Sequence, residues 1–124
     1  DHDGARLVVA GVDDPFANEP GHGPDLARAL AGRGAGLPVV LLAHQPVFAE
    51  QAAHAGVALM LSGHTHGGQL WPFSLLVRAV QPILAGLVRV RDTWVYVSRG
   101  TGWWGPPMRL GAPNEITVLT LRRA

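Results

Sequence analysis

The chain has 124 residues, 48% of them hydrophobic and 15% charged, which is enough apolar material for a core and excludes intrinsic disorder. A formal net charge of +1, carried by scattered arginines with no lysine, implies neither a nucleic-acid surface nor an electrostatic membrane contact. No cysteine is present, so disulfides, thiolate metal sites and thiol catalysis are excluded together.

The chain opens Asp1-His2-Asp3-Gly4, which reads as the tip of a hairpin turn. With no initiator Met or leader, the expectation is a fragment of one domain whose targeting information lies upstream. Arg6–Val12 is rich in β-branched residues and predicts a strand, ended by the turn acids Asp13-Asp14-Pro15. His2 and His22 fall among Gly and Asp in loops and read as solvated. The Asn18–Gly23 stretch is a loop, and Pro24 suits the first position of a short helix over Asp25–Ala31 that Gly32 stops. Val39–Ala43 is continuously apolar, the pattern of a strand covered on both faces.

Pro46 opens a second helix, Val47–Ala55, on which His54 is a surface residue. Val57–Leu61 is again a buried strand, so 39–61 reads as a parallel strand–helix–strand crossover. Ser74–Val80 predicts a helix. Leu87–Arg91 and Trp94–Ser98 predict a hairpin turning at Asp92-Thr93. Gly100–Gly111 is an irregular loop carrying Trp103, Trp104 and Arg109, and the strict alternation of Glu115–Leu121 predicts a closing strand. The most apolar stretch, Leu75–Val88, is too short and too interrupted to cross a bilayer.

Chemistry gathers at two of these strand ends. His44 follows the first buried strand, and His64 and His66 follow the second within Ser62-Gly63-His64-Thr65-His66-Gly67-Gly68-Gln69. Residues i and i+2 of an extended strand share a face, so His64 and His66 can converge. The strand C-termini of open α/β sheets are where ligands bind, and imidazoles are common metal ligands. Two histidines at this spacing also occur on ordinary surface strands, and it is the third, His44, that favours a metal site.

The motifs Leu42-Ala43-His44-Gln45-Pro46 and Ser62–Gln69, with Tyr96–Gly102, Pro113–Ile116 and Gly11–Pro15, resemble the C-terminal half of calcineurin-like metallophosphoesterases. The likeness is to the bacterial branch that reads Ser-Gly-His-Thr-His-Gly-Gly-Gln, and it covers nearly the whole chain. It implies an α/β fold, with residues 1–124 forming the C-terminal part of a four-layer α-β-β-α sandwich of mixed sheets. It also implies a phosphoester substrate and two divalent ions (Mn, Fe, Zn or Ni), with His44 and His64 on one ion and His66 on the other. Arg109 matches an arginine of that branch, which could reach a substrate phosphate or simply bond loop carbonyls. Trp103 and Trp104 could wall a groove, although anchoring the loop on the core is the favoured reading. Gly68 and Gln69 shape the turn.

The departures limit this resemblance. The family's Asp-x-His, Gly-Asp-x-x-Asp and Gly-Asn-His-Asp/Glu motifs are absent, so the carboxylate half of the site and any proton-donating histidine lie elsewhere. The expectation is an isolated chain with little or no turnover, whose partners are the N-terminal half of its domain or, through open sheet edges, another copy of itself. Relatives of this branch are often exported or membrane-tethered. The competing readings are a catalytically silent interaction module of the same fold and, further off, a metallo-β-lactamase-like hydrolase. The latter expects an Asp-His pair where Gly67-Gly68-Gln69 stands.

Overall fold

A computed structural model describes residues 4–16 and 22–122. Strands β1 (Val8–Gly11), β2 (Val39–Leu42), β3 (Leu59–Ser62), β4 (Gly86–Val90) and β5 (Thr93–Val97) form one sheet in the order β1-β2-β3-β5-β4. The first three neighbouring pairs are parallel and the β4–β5 hairpin is antiparallel, giving a mixed α/β sheet. Helices α1 (Leu26–Ala29), α2 (Ala49–His54) and α3 (Ser74–Val80) complete the elements, with a 3₁₀ turn at Pro46–Phe48 leading into α2. The parallel β2–α2–β3 crossover stands as the apolar runs predicted. No helix among the described residues is long and apolar enough to cross a membrane.

The core lies on the helical side of the sheet. Val39, Leu41, Met60, Val95 and Val97 point there and pack with Phe48, Ala49 and Ala52 from the α2 region. Thr93 is buried among them, its hydroxyl donating to the Val57 carbonyl. The other face is also apolar, and the described residues leave much of it open. Register aligns Val9, Val40, Leu59 and Trp94 in one row, and Leu42, Leu61, Tyr96 and Leu87 in the next. Val9, Leu42, Trp94 and Leu87 are all exposed. The expectation that β2 is covered on both faces therefore holds for Val39, Val40 and Leu41 and fails at Leu42.

Two further expectations are corrected. The hairpin turns on Arg91 and Asp92 rather than Asp92-Thr93, because Arg91 takes the left-handed φ of 53° and Thr93 is already paired with Val90. The closing strand over Glu115–Leu121 does not form. The tail stays irregular, with Ile116 88% and Val118 87% exposed. Alternation places one side of a strand on an apolar surface only if a neighbour supplies the ladder, and none of the five strands pairs with it. The hairpin tip expected at residues 1–4 and most of the Asn18–Gly23 loop, including His2, fall outside the described residues.

Met60 is fully buried at the centre of the sheet. Met60→Ala should therefore destabilise the chain by about 2–5 kcal/mol, read as a lower urea midpoint with an unchanged slope.

Candidate metal centre

Parallel pairing of β2 and β3 brings their C-terminal ends side by side. Two backbone bonds beyond the strands hold the exits together, Ala43 N–H to the Leu61 carbonyl (3.1 Å) and Gly63 N–H to the His44 carbonyl (3.0 Å). The Ser62 hydroxyl adds a third, donating to the Ala43 carbonyl at 2.7 Å. His44 and His64 thus leave adjacent strands at one level. Their rings meet edge to face, with centroids 5.2 Å apart and planes at 81°.

The second strand has ended by then, so the period-two argument for His64 and His66 does not apply. β3 stops at Ser62, and the chain then turns through left-handed φ values at His64 (67°), His66 (50°), Gly67 (64°), Gly68 (79°) and Gln69 (50°). Non-glycine residues adopt this region sparingly, and runs of it are held only by surrounding contacts. Here buried Thr65 donates its hydroxyl to the Leu84 carbonyl at 2.6 Å. A Cβ on Gly68 would lie 2.5 Å from that of Ser74, so α3 can sit against the turn only because that position is glycine. The Arg99 stem lies against Gly67 in the same way, where an added Cβ would meet its Cγ at 2.9 Å.

Gln69 is fully buried and stitches the next loop to this turn. Its Oε1 accepts from Trp104 N–H at 2.8 Å, while Nε2 donates to the Trp104 carbonyl (2.7 Å) and the Pro106 carbonyl (3.1 Å). The loop is anchored by this amide through its main chain. The indoles themselves stay in solvent, Trp103 59% and Trp104 40% exposed, with Trp104 resting on Phe73 at 5.4 Å.

His66 is placed differently from the other two imidazoles. Its Nδ1 lies 3.1 Å from Nη2 of Arg109, whose guanidinium also donates to the carbonyls of His66, Arg99, Gly102 and Ala112. Burial, then the Arg109 charge, and more weakly His44 and His64 hold the His66 ring below the usual histidine range, against a hydrogen bond with the Gly102 backbone. His64 is also lowered, first by burial and then by His44, with Asp14 opposing. His54 and His22 are surface residues, His54 beside Glu50 and His22 3.4 Å from Asp13.

Asp14 was legible only as a turn acid. It sits past the end of β1, its carboxylate accepting from the buried Gln45 amide at 3.1 Å and 3.4 Å. Among the described residues it is the acidic side chain whose charge raises the His64 pKa. Its place after a strand that pairs with β2 was the available signal. Glu115 is also held firmly. It accepts from Tyr96 (2.7 Å), from Arg99 N–H (3.0 Å) and from Arg99 Nη1 (3.1 Å), which pins the tail to the end of the sheet.

Chains similar to this one carry a common name. A Bos taurus protein called "transmembrane protein with metallophosphoesterase domain" is 48% identical over 124 residues, covering 95% of this chain and 28% of its own length. An uncharacterised metallophosphoesterase of Helicobacter pylori is 46% identical over 119 residues (93% and 32%), and one of Bacillus subtilis is 36% identical over 124 (97% and 42%). This chain is homologous to the metallophosphoesterases. It spans only about 28% of the first animal relative it matches, and the likeness reaches animal as well as bacterial proteins. No family model matches the chain, and no solved structure does.

Seen as part of a metallophosphoesterase, the three histidines divide into a pair and a single. An ion bound at about 2.1 Å to one nitrogen of each ring, with tetrahedral angles, places ring centroids roughly 5 Å apart, and the His44–His64 pair has that spacing. Among the described residues no group of three His, Cys, Asp or Glu side chains gathers around a point that could hold an ion. The described residues therefore bring together an imidazole pair with a third imidazole nearby.

Gln69→Ala strands the Trp104 and Pro106 main-chain groups and should cost about 1–3 kcal/mol, with faster proteolysis within 100–111 as the local readout. Acid should weaken the fold in a defined window. Because the folded values of His64 and His66 are lowered, the unfolded chain takes up protons first as pH falls below about 6.5. Stability should therefore fall as pH drops through about 6.5, and His64→Asn should flatten that fall in urea titrations. The lowered Glu115 acts only further down, below its ordinary 4.5.

Proposed function

We propose that this chain supplies the imidazole half of a metal-dependent phosphoester hydrolase centre, completed by carboxylates on polypeptide outside this sequence. The observation that supports it most is the meeting of the His44 and His64 rings across two parallel strand exits, at the separation one shared ion requires. His44 and His64 take one divalent ion, and His66 is the ligand offered to a second. Imidazole nitrogen suits Mn, Fe, Zn or Ni without choosing among them. Such ions, when bound, polarise the phosphoryl oxygens and lower the pKa of water at neutral pH. The chain's own part is to present neutral rings, and the lowered values of His64 and His66 keep them neutral to more acid pH than ordinary histidines.

The uncovered sheet face carries the second half of the proposal. Its rows through Val9, Leu42, Trp94 and Leu87 are the surface on which the rest of the domain packs, as the second sheet of the sandwich, and without it copies of this chain associate through that face. The Glu115–Leu121 stretch, alternating yet unpaired, belongs to the same missing neighbourhood.

One observation favours a silent module of the same fold, the lack of any three-donor cluster among the described residues. The same experiment separates the two. The 124-residue chain alone should turn over an aryl phosphate with added Mn negligibly. A longer protein carrying the carboxylate motifs should do so readily, with His44→Ala or His64→Ala lowering its rate at least 100-fold. Absent turnover in that longer protein would favour the silent module, and metal-independent turnover would overturn the metal reading.

A further inference from the structure

Five acceptors from the His66 turn and the loop after β5 converge on one side chain. Arg109 donates through Nη2 to the Arg99 carbonyl (2.8 Å) and to the Gly102 carbonyl, through Nε to Gly102 (3.0 Å), and through Nη1 to the carbonyls of Ala112 (3.2 Å) and His66 (3.3 Å). The fifth acceptor is Nδ1 of the His66 ring, 3.1 Å from Nη2, whose two hydrogens are therefore shared among three acceptors. A planar guanidinium has five N–H groups in a fixed fork, and here every one of its nitrogens is engaged by the chain itself. Contact with a substrate phosphate would require breaking this set.

We propose that Arg109 is the positioning residue of His66, fixing where the ring points and which of its nitrogens carries the hydrogen. Guanidinium only donates, so Nδ1 accepts and the neutral ring of the metal-free chain bears its hydrogen on Nε2. A ligating imidazole needs the reverse, a bare nitrogen toward the ion and an N–H turned to a carbonyl or carboxylate. Gly102 is placed to serve that second arrangement. A Cβ at Gly102 would lie 4.0 Å from His66 Cε1, and the nearness of its backbone raises the proton affinity of the ring. His66 thus sits between a donor and an acceptor that favour opposite tautomers, and Arg109 holds it in the one that does not ligate at Nε2. The handover to Gly102 rests on the metal reading above, whereas the tautomer of the metal-free ring does not.

Side-chain nitrogen NMR of the metal-free chain at pH 8, with His66 assigned through His66→Gln, tests this. The expected pattern for His66 is Nε2–H. Arg109→Gln should convert at least half of it to Nδ1–H while the His44 and His64 signals keep their places. Arg109→Lys keeps the charge without the fork and should behave like the glutamine variant, and it carries the test if Arg109→Gln does not fold. A wild-type His66 that is already Nδ1–H, or one unchanged in both variants, overturns the proposal, as does full restoration by lysine. Zinc titration of the longer protein that carries the carboxylate motifs separates the two readings. Failure to bind zinc sinks the metal proposal alone, while binding with a tenfold or larger affinity difference between wild type and Arg109→Gln supports both.

Discussion

Everything at the candidate centre depends on the parallel ladder between β2 and β3. Hydrogen bonding in register from Val40–Leu59 to Leu42–Leu61 forces the two chains to leave the sheet at the same level and in the same direction. The two bonds past the ladder, at Ala43 and Gly63, keep them together for another residue each. Only under that constraint do two imidazoles twenty residues apart in sequence come edge to face. An antiparallel pairing would have sent His44 and His64 to opposite ends of the sheet.

The second constraint is the left-handed turn that follows. Five of the six residues from His64 to Gln69 lie at positive φ, and three of them are not glycine. Such a turn has no local stability, so its neighbours must hold it. Thr65 does so from beneath, Gln69 and Arg109 from the loop after β5, and Ser74 through its contact with Gly68. The loop with the exposed tryptophans is therefore part of the histidine turn mechanically, although thirty residues of chain separate them.

The same sheet that builds the centre leaves a large apolar face open. Helices from this chain cover one side only, and the residues opposite are as apolar as a core. A five-stranded sheet whose described residues leave one apolar side open suits the proposed packing of a second layer on that side. The unpaired alternation of Glu115–Leu121 points to the same conclusion, because Tyr96 and Arg99 already hold its first residue in place.

Much was legible from local chemistry alone. Apolar runs ending in His44 and Ser62, glycine and proline punctuation and the period-two hairpin determined the elements, since burial pattern and turn propensity are properties of neighbouring residues. The presence of three histidines at strand ends belongs to the same class, and so does the glycine pair that lets the turn form. What the tertiary structure decided was who meets whom. It paired His44 with His64 but turned His66 toward Arg109, and it gave Asp14 a place beside Gln45. It also withheld a partner from the last alternating stretch. Those outcomes depend on strand order, register and the backbone path of a left-handed turn, which are set by contacts between distant residues and leave no periodic trace in the chain.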